Sequence, residues 1–131
     1  MKTKKIGLIL LRITVAVIFL QTLYFKFTAH PDSVYIFTAL GVEPYGRIGL
    51  GILELITAFL ILLPRTQLFG MLASLGIILG AVVSHIVVIG ISIKNDAGGL
   101  FILALIVLIS TSIFLYLQKN ELIKTYKHYL P

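Results

Sequence analysis

Apolar side chains run through this chain in four long blocks, residues 6–27, 46–63, 68–93 and 99–117, with most polar residues gathered in the gaps between them. At about 1.5 Å per residue, each block is long enough as a helix to cross roughly 30 Å of hydrocarbon. None alternates polar and apolar positions as a barrel strand must, and open strands would leave backbone groups unpaired in lipid. The pattern predicts an all-α fold, a transmembrane four-helix bundle.

The gaps carry turn chemistry that fits this reading. "EPYG" places Pro44 where a first helical turn tolerates it, "PRTQ" makes a tight turn between spans two and three, and "KNDAGG" offers Asn95 and Asp96 at the start of span four, with Asp96 as its cap. The first gap is longer. Its "HPDSVYIFTALG" predicts a short interfacial helix between spans one and two, beginning at Pro31 and ending before Gly41. Val34, Tyr35, Ile36, Phe37 and Leu40 would lay that helix in the interface or fold it over the bundle mouth.

Composition sharpens the class. Of 131 residues, 59% are hydrophobic and 12% charged, with a mean hydropathy of +1.07, which marks a membrane protein. No linker-like tract divides residues 1–131, so a single transmembrane domain is expected. The first twenty residues resemble a signal peptide, but Arg12 interrupts the apolar run and no cleavage site follows, so they read as a retained first span. The formal charge of +6 comes from Lys and Arg flanking apolar blocks, which reports topology and makes nucleic-acid binding an unsuitable reading. Lys2, Lys4, Lys5, Arg65, Lys119, Lys124 and Lys127 fall on one side, against Lys26, Arg47 and Lys94 on the other. That bias places both termini in the cytoplasm of an inner-membrane, multi-pass protein.

The candidate chemistry lies in the few polar residues inside the spans. Glu54 on span two and His85 on span three both fall about 12 Å below the outer surface, and Gln21 on span one about 9 Å below it. Arg12 approaches from the inner half, while Lys26 and Arg47 stand near the outer mouth. A lipid-facing charge costs several kcal/mol, so these groups are expected to face the interior and satisfy one another. Arg47 and Glu54, seven residues apart, share a face of span two. On span one, Arg12 and Lys26 lie near one face while Thr14, Gln21 and Thr28 form a stripe on the other, so the helix is expected to be enclosed, in part by a second copy of the chain. Gly76, Gly80 and Ser84, at four-residue intervals, are expected to let helix backbones approach closely, as are Gly46, Gly49 and Gly51.

Each polar group also has a structural reading. Glu54 could pair with Arg12 simply to fix helix register, His85 could be a satisfied packing histidine, and Lys26 and Arg47 could be topology anchors. The absence of Cys removes thiolate, disulfide and iron–sulfur chemistry from this chain. Glu54 and His85 are two ligands where zinc needs three, and haem lacks a second axial ligand, since His30 is in a loop and His128 in the tail. No metal, no covalently bound cofactor and no self-contained enzyme is expected. A carboxylate and an imidazole at one depth can instead relay a proton or hold a quinone-like head group, with Gln21 and Arg12 as further donors.

At these residues the sequence resembles the DoxX family, in its DoxX-like branch of small four-span bacterial membrane proteins. The resemblance rests on Arg12 in span one, Lys26 closing that span, the Glu54–Leu55 pair, the turn residue Arg65 and His85. Leu23 stands where many relatives have Gly. The resemblance implies a four-helix membrane bundle whose relatives are associated with thiosulfate-to-quinone oxidation or with membrane oxidoreductase complexes. The expectation is an accessory subunit of a quinone-linked redox system, with a polar ligand pocket and an oxidoreductase partner. A small proton-coupled transporter acting as an oligomer and a non-catalytic scaffold are the alternatives.

Overall fold

The computed structural model describes residues 2–93, 96 and 98–129. Its elements are α1 (Lys2–Phe27), α2 (Pro31–Ala39), α3 (Tyr45–Leu62), α4 (Gln67–Ser84), a π-helical turn (His85–Ile89), α5 (Gly99–Leu117) and α6 (Lys119–Tyr129). Four of these, with α4 and the π turn counted as one, are long and apolar enough to cross a membrane. The chain is therefore a multi-pass membrane protein, an all-α bundle with a short helix between spans one and two.

Around the bundle α1 packs beside α3 and α5, and α4 closes the ring between them. Val15, Ala16, Phe19, Ile61, Met71, Ile78, Ala104, Val107, Phe114 and Leu115 form the core. Large apolar residues such as Leu10, Val17, Ile56, Phe59, Val87 and Ile109 are more than half exposed, the orientation a lipid solvent permits and water does not. Hydroxyls inside the bundle return to their own helices. Thr57 donates to the Leu53 carbonyl (2.7 Å), Ser74 to that of Gly70 (2.8 Å) and Thr111 to that of Val107 (2.9 Å). Each is satisfied locally, so these side chains add polarity to the sequence without creating a polar path.

The ends are set by identifiable groups. Pro31 occupies the first turn of α2, and His30 Nδ1 accepts from the Asp32 amide at 3.2 Å. At the other end of the bundle, the last carbonyls of α3 are all taken. Arg12 donates to Ile61 and Leu62, each at 3.0 Å, and Thr66 donates to Leu60 at 2.8 Å.

The third span does not stay helical to residue 93. It widens into the π turn, with the Gly90 amide donating to the His85 carbonyl at 2.8 Å, and breaks at Gly90, whose φ of 85° and ψ of 167° suit glycine alone. Beyond the fourth span, where the sequence pattern ends at residue 117, the eleven residues of α6 form a further helix. Leu122, Tyr126 and Tyr129 share one of its faces, and Tyr129 stacks edge-on against Phe69 at the start of α4.

Candidate functional site

Thr22 and Lys26 are one helical turn apart on α1 and both face α3. Lys26 Nζ lies 3.0 Å from Glu54 Oε2, and the two side chains are 13% and 6% exposed. Thr22 donates to the Phe19 carbonyl at 2.9 Å and lies 3.4 Å from the same Glu54 oxygen. Glu54 is thus held by its neighbours on α1, and the partner is Lys26. The Arg12 pairing is not formed, because Arg12 sits nearer the α3–α4 turn and spends its guanidinium on the end of α3.

Arg47 is buried one layer above. Its Nε donates to both oxygens of Glu43, at 2.8 and 3.1 Å, and its Nη1 donates to the backbone carbonyl of Lys26. The guanidinium therefore fastens the end of α1, the segment that carries the Lys26 ammonium. Along this wall the charges alternate as Glu43, Arg47, Lys26 and Glu54, so no ion is left in apolar surroundings without its counterion.

His85 approaches from α4, 6% exposed, with its ring 5.4 Å from that of Phe101. Its Nδ1 lies 3.0 Å from the Gly90 carbonyl. A carbonyl only accepts, so Nδ1 carries a proton and donates this bond, and in the neutral tautomer that has this proton Nε2 is the acceptor. The π turn is what brings the Gly90 carbonyl back to its own helix for this purpose.

Thr22, Lys26, Glu54, His85 and Asp96 all line one cavity of about 900 Å³. Asp32, Ser33 and Ser84 add further polar groups, the rest of the wall is mainly apolar, among it Ile18, Phe19, Ile77, Leu100 and Leu103, and α2 covers the cavity with Ile36 and Phe37, followed by Leu40 at its end. This volume falls within the range of small-molecule pockets, and a few converging polar groups in an apolar chamber are their usual chemistry. A second cavity, about 760 Å³ between α4 and α6, is lined by Phe69, Leu72, Leu122, Thr125, Tyr126 and Tyr129, with no charged side chain. Among the described residues, no three His, Asp or Glu side chains gather as a metal site.

Asp96 Oδ1 accepts from the amides of Ile93 (3.0 Å) and Gly98 (2.8 Å), and Oδ2 from that of Leu100 (3.2 Å). Burial works to raise its pKa, but the amides of Ile93, Leu100, Gly98 and Gly99 outweigh it and hold the carboxyl below its ordinary value. Asn95 and Lys94 lie outside the described residues.

Of the residues named from sequence, Lys26, Glu54, His85 and Asp96 meet at the cavity, with Arg47 behind them. Gln21 is exposed and does not line it. Thr22 and Glu43 were not anticipated. Thr22 could have been found from its four-residue spacing to Lys26, and Glu43 from the same spacing to Arg47.

The glycines correct a second expectation. A Cβ at Gly76 or Gly80 would meet nothing within 4 Å, so this stripe mediates no close helix packing and instead lines the cavity. Gly49 is equally open. Gly51 faces the Phe27 ring and Gly46 the Val42 side chain, while the real backbone contact is at Gly70, where a Cβ would fall 2.6 Å from the Ile61 nitrogen.

Neither the curated proteins nor the solved structures contain a match to this chain. A family model described as the DoxX-like family matches residues 10–112, a stretch that holds every named residue of the 900 Å³ cavity and the Arg12 grip on α3. By that match over most of its length, the chain belongs to the DoxX-like family.

Proposed function

We propose that this membrane protein binds a small lipid-soluble ligand of the quinone type in the cavity beneath α2, serving a partner oxidoreductase as an accessory subunit. The observation that carries the reading is the pairing of an apolar chamber of about 900 Å³ with two different hydrogen-bonding poles. Lys26 Nζ has three hydrogens and gives one direction to Glu54, so it can also donate to a ligand carbonyl. His85 Nε2 can accept from a hydroxyl. A quinone offers carbonyls and its reduced form hydroxyls, while ring and tail match the apolar walls. The chain has no Cys, so electrons would pass through the ligand and a partner's centre.

The basic residues favour an inner-membrane orientation with both termini cytoplasmic. In that orientation α2 and the polar pair lie toward the outer leaflet. The test is extraction of protein purified in mild detergent, with mass spectrometry of the bound lipids. Quinone is expected with the native chain and at least tenfold less with Lys26→Met or His85→Phe. Its consistent absence from the native protein would rule out the reading.

A further inference from the structure

We infer that the cavity opens sideways into the bilayer between α3 and α4, and that its ligand, a membrane-dissolved amphiphile, comes in there and not from water. The route rests on the ligand reading above, but the opening itself rests on the shape of the α3–α4 hairpin. At the turn the two helices touch backbone to backbone, since a Cβ on Gly70 would fall 2.6 Å from the Ile61 nitrogen and 2.9 Å from the Leu60 carbonyl carbon. The same face of α4 continues through Ala73, Ile77, Gly80 and Ser84, because residues three, four and seven apart lie along one side of a helix. Farther along α4 that contact is gone: a Cβ at Gly80, on the flank of this face, or at Gly76 beside it would meet nothing within 4 Å. The hairpin is pinned at its turn and splayed at its far end.

The gap this leaves joins the cavity to the outside of the bundle. Gly76 and Gly80 are both exposed and both line the cavity, and Leu53 on α3 does so while 48% exposed. Buried side chains stand on three other sides. Phe37 and Ser33 of α2 are buried over the top, Phe19, Ile78 and Ala104 belong to the packed core below, and the Lys26–Glu54 pair bridges α1 to α3. A flat head group with a long apolar tail fits such a shape. The head would reach Lys26 and His85 while the tail remained among the acyl chains.

The chain has no Cys, so Gly80→Cys or Gly76→Cys can carry a single bimane label in liposomes, at sites with open space for a side chain. Spin-labelled phospholipid is expected to quench either label at least threefold more strongly than aqueous iodide. Equal or stronger quenching by iodide, or none by either reagent, would overturn the sideways opening. In the same liposomes, Gly76→Leu/Gly80→Leu is expected to slow the association of a decyl-substituted benzoquinone about tenfold, and an unchanged rate would overturn the route. If lipid quenches the label but the benzoquinone never binds the native protein, the opening stands and the quinone reading falls.

Discussion

Lys26 is the residue on which the site's electrostatics turn, because its ammonium is the counterion of a carboxylate only 6% exposed. Replacing it with Met leaves Glu54 without a cation in apolar surroundings, a loss of about 3–5 kcal/mol where a buried pair is broken on one side. The double variant Lys26→Met/Glu54→Gln removes both charges and is expected to recover most of that stability. Thermal unfolding of the three proteins in one detergent checks both statements. Asp96 gives a pH-dependent counterpart. Its folded-state pKa is depressed, so its contribution is fully present above the unfolded carboxyl value, near 4, and is lost as pH falls through the lower folded value. Asp96→Asn is expected to flatten the acid limb of the stability profile, read by unfolding at stepped pH.

That Glu54 has polar company was legible in the sequence, since a carboxylate in a span must be satisfied. Which cation satisfies it was not. Depth alone made Arg12 and Lys26 both available, and only the tilt and rotation of α1 against α3 bring Lys26 within 3.0 Å while sending Arg12 to the carbonyls of Ile61 and Leu62.

Among the elements, the α3–α4 hairpin shows why one residue type has opposite meanings along one helix. Gly70→Ala drives a methyl into the α3 backbone and is expected to cost about 1–3 kcal/mol, as overpacking does. Gly76→Ala and Gly80→Ala put a methyl into open space and should be neutral or stabilising by up to about 1 kcal/mol, from Ala's better helix propensity. Unfolding midpoints of the three single variants make the comparison, and equal losses at all three would show that the helices do not splay. The small-residue spacing was plain in the sequence, but spacing reports only that a groove exists, not whether a helix or a ligand fills it.

The π turn was hidden for a similar reason. Apolar residues continue unbroken through Val87, Val88, Ile89 and Ile91, and only Gly90 signals the stop. Gly90→Ala forces a side chain into a backbone region reserved for glycine, at a cost of about 1–3 kcal/mol. It is also expected to release His85 Nδ1 from its carbonyl, which the ring's nitrogen-15 shifts would report.

At the scale of the whole molecule, four spans return the chain to the side where it began. Single cysteines at Thr3 and Lys124 should therefore react together with an impermeant maleimide applied from one side of sealed vesicles, and one at Thr28 only from the opposite side. Thr3 and Thr28 labelled from the same side would contradict the four-span bundle. The bundle itself was legible because lengths and hydropathy of the blocks decide it. The tail helix α6 was not, because its own charge pair, Lys124 with Glu121 at 3.5 Å, is exposed and weak, and its tyrosine face gains a partner only where Tyr129 meets Phe69 of α4.

The dry half of the bundle limits what the molecule can do. Below the Lys26–Glu54 pair, Val15, Ile61, Met71, Val107 and Phe114 have no exposed surface at all, and the nearby hydroxyls are already engaged with their own helices. The charged groups that line the large cavity thus all lie on the side of this core that α2 covers, so a ligand held by them would be reached from that side alone.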